Sequence, residues 1–200
     1  MTSFACFGLS FLLGVGSFTP AYALQSTTDA VPDADSNRIA WREGAPGASV
    51  HIESGGELKD IRYRGKSIRC FLRLWASDLL AFVSVWNGTN DSIVIDTAHD
   101  ISVQLALPRR DSLFPLRTEE YARLIVKQNG SKQNKEIAKN IRSKPWTLGP
   151  VTIAGKNNEW AQVFYFSFRE RFDDRLAALV PHVDLVVYLD GMAFVFPFKL

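Results

Sequence analysis

The run from Val183 to Phe198 constrains the fold more than any other part of the chain. Val183, Leu185, Val187 and Leu189 are apolar at every second position, and so are Met192, Phe194, Phe196 and Phe198. A period of two places each set on one face of a β-strand. Between the two runs stands Asp190-Gly191, a pair that supplies the positive φ angles of a two-residue type I′ turn. The segment is therefore predicted to be an antiparallel hairpin built into a sheet. Its apolar face requires a second layer to cover it.

The same pattern recurs upstream. In Ser67 to Trp75, Ile68, Cys70, Leu72 and Leu74 share one face, and Arg69, Phe71, Arg73 and Trp75 share the other. Leu79 to Trp86 is an apolar run rich in β-formers. Asn87 to Asp91 reads as a turn, and Ser92 to Asp96 as its return strand, which predicts a second hairpin. Ile101 to Leu107 alternates, Val151 to Ala154 is a short strand candidate, and Trp160 to Phe168 is apolar on both faces, as a central strand would be. Two segments have helical spacing. Thr118 can cap a helix that carries Glu119 and Glu120 in its first turn, and Asp173 to Val180, stopped by Pro181, reads as a short helix or equally as a loop that leads into a strand. Lys127 to Lys144 is polar and long, and reads as an insertion or mobile loop. Many short strands and few helices predict a mostly β fold, a β-sandwich or barrel, with one or two short helices in connections.

Residues 1–23 contain no Lys, Arg, Asp or Glu, and end in Ala21-Tyr22-Ala23 after an apolar stretch from Phe4 to Val15. This suits a signal peptide cleaved after Ala23. The apolar stretch is shorter than the roughly 20 residues a membrane-spanning helix needs. Residues 24–45 are expected to be a flexible leader. Residues 46–200 are expected to be one domain, with a helix and loop insertion at about 115–148. The expected location is secreted or periplasmic, with no integral membrane span after cleavage. Of the two cysteines, cleavage would leave Cys70 alone, so the core rather than a disulfide must stabilise the fold. A net charge of +2 argues against a strongly basic nucleic-acid binder.

The run Phe82 to Asp96, FVSVWNGTNDSIVID, resembles the strand, turn and strand core of bacterial extracytoplasmic immunoglobulin-like domains. The closing stretches VFYFSF, VDLVVYLDG and MAFVFPFKL are similar to the last strands of that group. The resemblance covers about residues 67–107 and 150–200. It implies an immunoglobulin-like antiparallel β-sandwich with an accessory or binding role, and it carries over no catalytic residue.

Chemistry is sparse. His51, His99 and His182 stand far apart without metal-ligand spacing, and no Gly-x-Ser-x-Gly or Walker motif occurs. Asp91, Asp96 and Asp100 lack calcium-loop spacing and read as turn residues. No catalytic residue, metal or cofactor is expected. Two basic groups are candidate binding elements. One is the face of Arg69, Phe71, Arg73 and Trp75, where guanidinium groups beside rings can grip anions or planar groups. The other is the run that includes Lys132, Lys135 and Lys139. The expected function is an exported, non-enzymatic binding or accessory module for another envelope protein or an anionic envelope component, without specific nucleic-acid recognition. An enzyme acting on an envelope polymer and a structural subunit of an envelope assembly are the alternatives.

Overall fold

The computed structural model describes residues 28–33, 36–53, 56–75, 78–105, 112–128, 130–167 and 182–200. The expected signal segment and the helix expected at Asp173 to Val180 lie outside them. The C-terminal hairpin forms as its alternation dictates. Strand β11 (His182–Leu189) pairs antiparallel with β12 (Met192–Lys199). Asp190 and Gly191 join them with φ of 51° and 74°, as a type I′ turn requires.

The fold is mostly β, with several antiparallel sheets. In one sheet the hairpin is extended on the β12 side by β1 (Arg38–Ala40) and on the β11 side by β7 (Ile101–Leu105) and β8 (Ser112–Leu113). The β1–β12 pair is parallel. It lies within the stretch expected as a leader, and Ile39 is buried in the core, which gives this part of the leader a reason to order. The second sheet has the order β10-β5-β4-β3-β2, from β2 (Ala48–Glu53), β3 (Gly56–Tyr63), β4 (Lys66–Trp75), β5 (Asp78–Asn87) and β10 (Asn158–Ser167). The third is the small pair β6 (Ile93–Asp96) and β9 (Pro150–Ile153).

One apolar core draws on all three sheets. Ile68, Cys70 and Leu72 of β4, alternate residues of β5, and Phe164 and Phe166 of β10 join Val103 of β7, Leu185 of β11, and Phe194 and Phe196 of β12. Burial raises the Cys70 thiol well above its ordinary pKa, with a further push from Asp60, so it stays a neutral core residue as expected. Lys59 of β3 is buried too. Its ammonium lies 4.3 Å from the Trp41 ring centroid and 4.8 Å from that of Phe198, and it donates to the carbonyl of Pro197. A cation between two rings and a carbonyl thus ties the second sheet to the first.

Several local expectations change. First, β6 pairs with β9 and not with β5. The Asn87 side chain, fully buried, donates to the carbonyls of Asp91, Ile153 and Ala154, so the turn sends the chain away from β5. Second, β10 is an edge strand, with both faces apolar because its outer face is partly roofed by the helical insertion. Third, the polar stretch after residue 127 is largely helix: α1 (Thr118–Gln128) is followed by α2 (Lys132–Ser143), which Ser131 caps by accepting from the Asn134 amide. A polar helix reads as a loop when its buried stripe is as narrow as the one around Ala138. Thr118 does not cap α1 in the expected way. Its hydroxyl exchanges hydrogen bonds with the backbone of Trp146, while Glu120 accepts from the Arg117 amide.

Candidate functional site

Strands β4, β5 and β10 lie side by side, so their outward residues fall into rows. Alternation sends Cys70, Val83 and Phe164 inward and leaves their neighbours outside. One outward row is Phe71, Phe82 and Val163, directly opposite one another in the register. Phe71 and Phe82 are half-buried, and Val163 is 37% exposed. The next row on one side is Arg69, Ser84 and Ala161. On the other side it is Arg73, Leu80 and Tyr165. An apolar strip thus crosses three strands between two arginines. The Phe71 ring also lies over the start of β3: a Cβ at Gly56 would come within 2.5 Å of it, so glycine keeps that place open.

The two arginines differ in what holds them. Arg69 Nε donates to Asp60 Oδ2 at 3.1 Å, and its Nη1 is 4.0 Å from Glu159 Oε1. Asp60 is buried and also accepts the Ser67 hydroxyl, at 2.8 and 2.9 Å to its two oxygens, while Ser84 donates to Glu159. Arg69 therefore compensates a buried carboxylate. Arg73 is exposed, and its charge lowers the pKa of the Tyr165 phenol, which burial raises more strongly. Trp75 ends β4 opposite Asp78, and the expectation for its ring lies outside the described residues.

The helical insertion borders this face. Tyr165 stacks on Tyr121 of α1 at 4.6 Å between ring centroids, and on Trp146 at 4.7 Å. The Leu116 amide donates to the carbonyl of Tyr165, and Gln162 donates to that of Thr147, so part of the β10 edge is occupied. Lys132, Lys135 and Lys139 are exposed on α2, which packs on α1, so they belong to the helix pair and not to the sheet rows. Phe82, Val163 and Tyr165 were not singled out in the sequence. Their strand parity was visible there, but the register that aligns them with Phe71 and Arg73 was not.

The acidic loop serves its own turn. Asp96 accepts from the Ala98 amide and pairs with His99 Nδ1 at 2.9 Å, contacts that lower its pKa, and Asp100 accepts from the Asp96 amide. Among the described residues, no group of three or more His, Cys, Asp or Glu side chains is placed to hold a metal, and no helix is long and apolar enough to cross a membrane. No family model, curated protein or solved structure matches this chain.

Proposed function

We propose that this chain is an exported, non-enzymatic immunoglobulin-like binding or accessory module that contacts another envelope protein through the outer face of β4, β5 and β10. The observation that carries the reading is the in-register row Phe71, Phe82 and Val163 beside the exposed Arg73. Aromatic rings with arginine at their rim are the composition of protein interfaces and of their energetic centres. Much of the Arg69 charge is already met by Asp60, which leaves the strip mainly apolar and favours a protein surface over a polyanion.

The immunoglobulin-like part of the reading is supported by strand order. The neighbours β4, β5 and β10 follow the A-B-E order of one immunoglobulin sheet, and β7, β11 and β12 follow the C-F-G order of the other. The β6–β9 pair and the helical insertion depart from the minimal sandwich. Export is supported by the uncharged, apolar first 23 residues ending in Ala-Tyr-Ala.

The test is a pull-down from native envelope extract, at low and at high salt, with the wild-type chain and with Val163→Glu. A discrete protein that survives high salt and is lost with Val163→Glu supports the reading. Recovery of only salt-labile polyanionic material contradicts it.

A further inference from the structure

The helix pair carries a second feature that the sheet face does not use. The open groove between α1 and α2 has a volume of about 390 Å³ and is lined by Arg123, Val126, Lys127, Lys135 and Arg142. The two helices are held close. Ala138 is fully buried, and Asn134 Nδ2 donates to the carbonyl of Ile125 at 3.0 Å. Arg123 and Lys127 are one turn apart on α1, and Lys135 and Arg142 flank Ala138 along α2, so cations line both walls.

The charge in the groove is unevenly met. Glu119 serves both guanidinium groups at one end, Arg142 at 2.8 and 3.0 Å and Arg123 at 3.2 Å. For Lys127 and Lys135 no carboxylate partner is found among the described residues. Lys127 and Lys135 both line the groove, so like charges border it from two helices, and an anion bound there would be attracted by both. A phosphate group suits the place because it brings up to about two negative charges and three acceptor oxygens, enough to take donors from both walls at once. The groove is open, so the anion can be the end of a larger molecule.

From this arrangement we infer that the α1–α2 groove binds a phosphate group, with Lys127 and Lys135 as its main ligands, Arg123 assisting and Val126 forming the apolar floor. This deepens the binding-module reading and rests on it for the setting in which the chain meets envelope components. The group can come from a phospholipid headgroup or from a soluble phosphate ester, and the chemistry is the same.

The test uses protein purified after export and two probes. Pyrophosphate is titrated by calorimetry, and vesicles of phosphatidylglycerol in phosphatidylcholine are used in flotation. Lys127→Gln with Lys135→Gln is compared with Lys156→Gln with Lys199→Gln, an equal change of charge at exposed sites elsewhere. The groove pair is expected to weaken binding about tenfold or more and the control pair little, since charge-assisted contacts are short-ranged. Binding of either probe or both that the groove pair weakens and the control pair does not upholds the groove, and binding of one probe alone identifies the source of the phosphate. No binding of either probe, or equal loss in the two double variants, overturns it. Capture of an envelope protein by the β4–β5–β10 face is expected to survive the groove change. A wild type that captures the protein but binds neither phosphate probe therefore counts against the groove alone, and absence of capture by the wild type counts against the binding module.

Discussion

The side-chain amide of Asn87 lies 3.2 Å from the backbone carbonyl of Ile153, so the turn that leaves β5 is fastened to the end of β9. The same amide donates to Asp91 and Ala154, and its carbonyl oxygen accepts from the amide and hydroxyl of Thr89. One fully buried side chain thus satisfies backbone groups from two separated segments. Asn87→Ala strands several of them, each at a cost of about 1–3 kcal/mol, so a total loss of about 3 kcal/mol is expected. Urea unfolding checks it through a lower midpoint at unchanged slope. A loss below about 1 kcal/mol would show that these groups find other partners.

The Asp190-Gly191 turn makes a backbone prediction. Both residues have positive φ, which proline cannot adopt and a β-branched residue adopts only under strain. Asp190→Pro and Gly191→Val are each expected to lower stability by about 1–3 kcal/mol or more. Nothing lies within 4 Å of the position a Cβ would take at Gly191, so the effect would be conformational and not steric. Unchanged thermal unfolding in either variant would contradict the turn assignment.

Arg69 and Arg73 stand on the same face, yet their loss is expected to differ. Arg69→Ala leaves Asp60 buried with the Ser67 hydroxyl but without its cation. That is expected to cost about 2–3 kcal/mol, from the loss of a charged hydrogen bond. Arg73 is exposed, so Arg73→Ala is expected to change stability much less and to act on partner binding instead. Equal effects of the two changes on stability would remove this distinction.

Glu119 provides a pH test. Its hydrogen bond to Arg142, aided by Arg123, pulls the carboxyl from the ordinary value of 4.5 down to about 2. A folded-state pKa below the unfolded one contributes stability that is present above pH 4.5 and lost as pH falls toward 2. Both partners are exposed, so the contribution is small and a site-specific probe is needed. Titration of the Glu119 side-chain carbon by NMR is expected to give a midpoint near 2, and a higher one in Arg142→Ala, where Arg123 remains. A wild-type midpoint at 4.5 would dissolve the α1–α2 clasp.

Short-range chemistry was legible in the sequence, and long-range pairing was not. The alternation in Val183 to Phe198 and its Asp-Gly turn determine a hairpin locally, because neighbouring residues set both the period and the turn. Cys70 was readable as core from the parity of its strand. The partner of β6 was not readable, because it depends on where Asn87 finds carbonyls more than sixty residues away. The edge position of β10 is hidden in the sequence for a related reason. Apolar residues on both faces of Trp160 to Ser167 do not say what lies over the outer face, where Tyr165 is covered by Tyr121 and Trp146 while Val163 stays exposed. The outward row of Phe71, Phe82 and Val163 shows the same limit: Phe71 and Arg73 are visible in the sequence as one face, while Phe82 and Val163 join them only through the register of three strands.

The proposed contact of a protein partner with the outer face of β4, β5 and β10 can be read out in the cell. The most direct measurement is photo-crosslinking in intact cells, with a photoreactive phenylalanine at position 163 and, as a control, at position 188. Val163 and Tyr188 are similarly exposed, at 37% and 42%, but lie in different sheets. One discrete protein adduct from position 163, absent from position 188, is the expected result. No adduct from position 163, or the same adducts from both positions, would contradict the account.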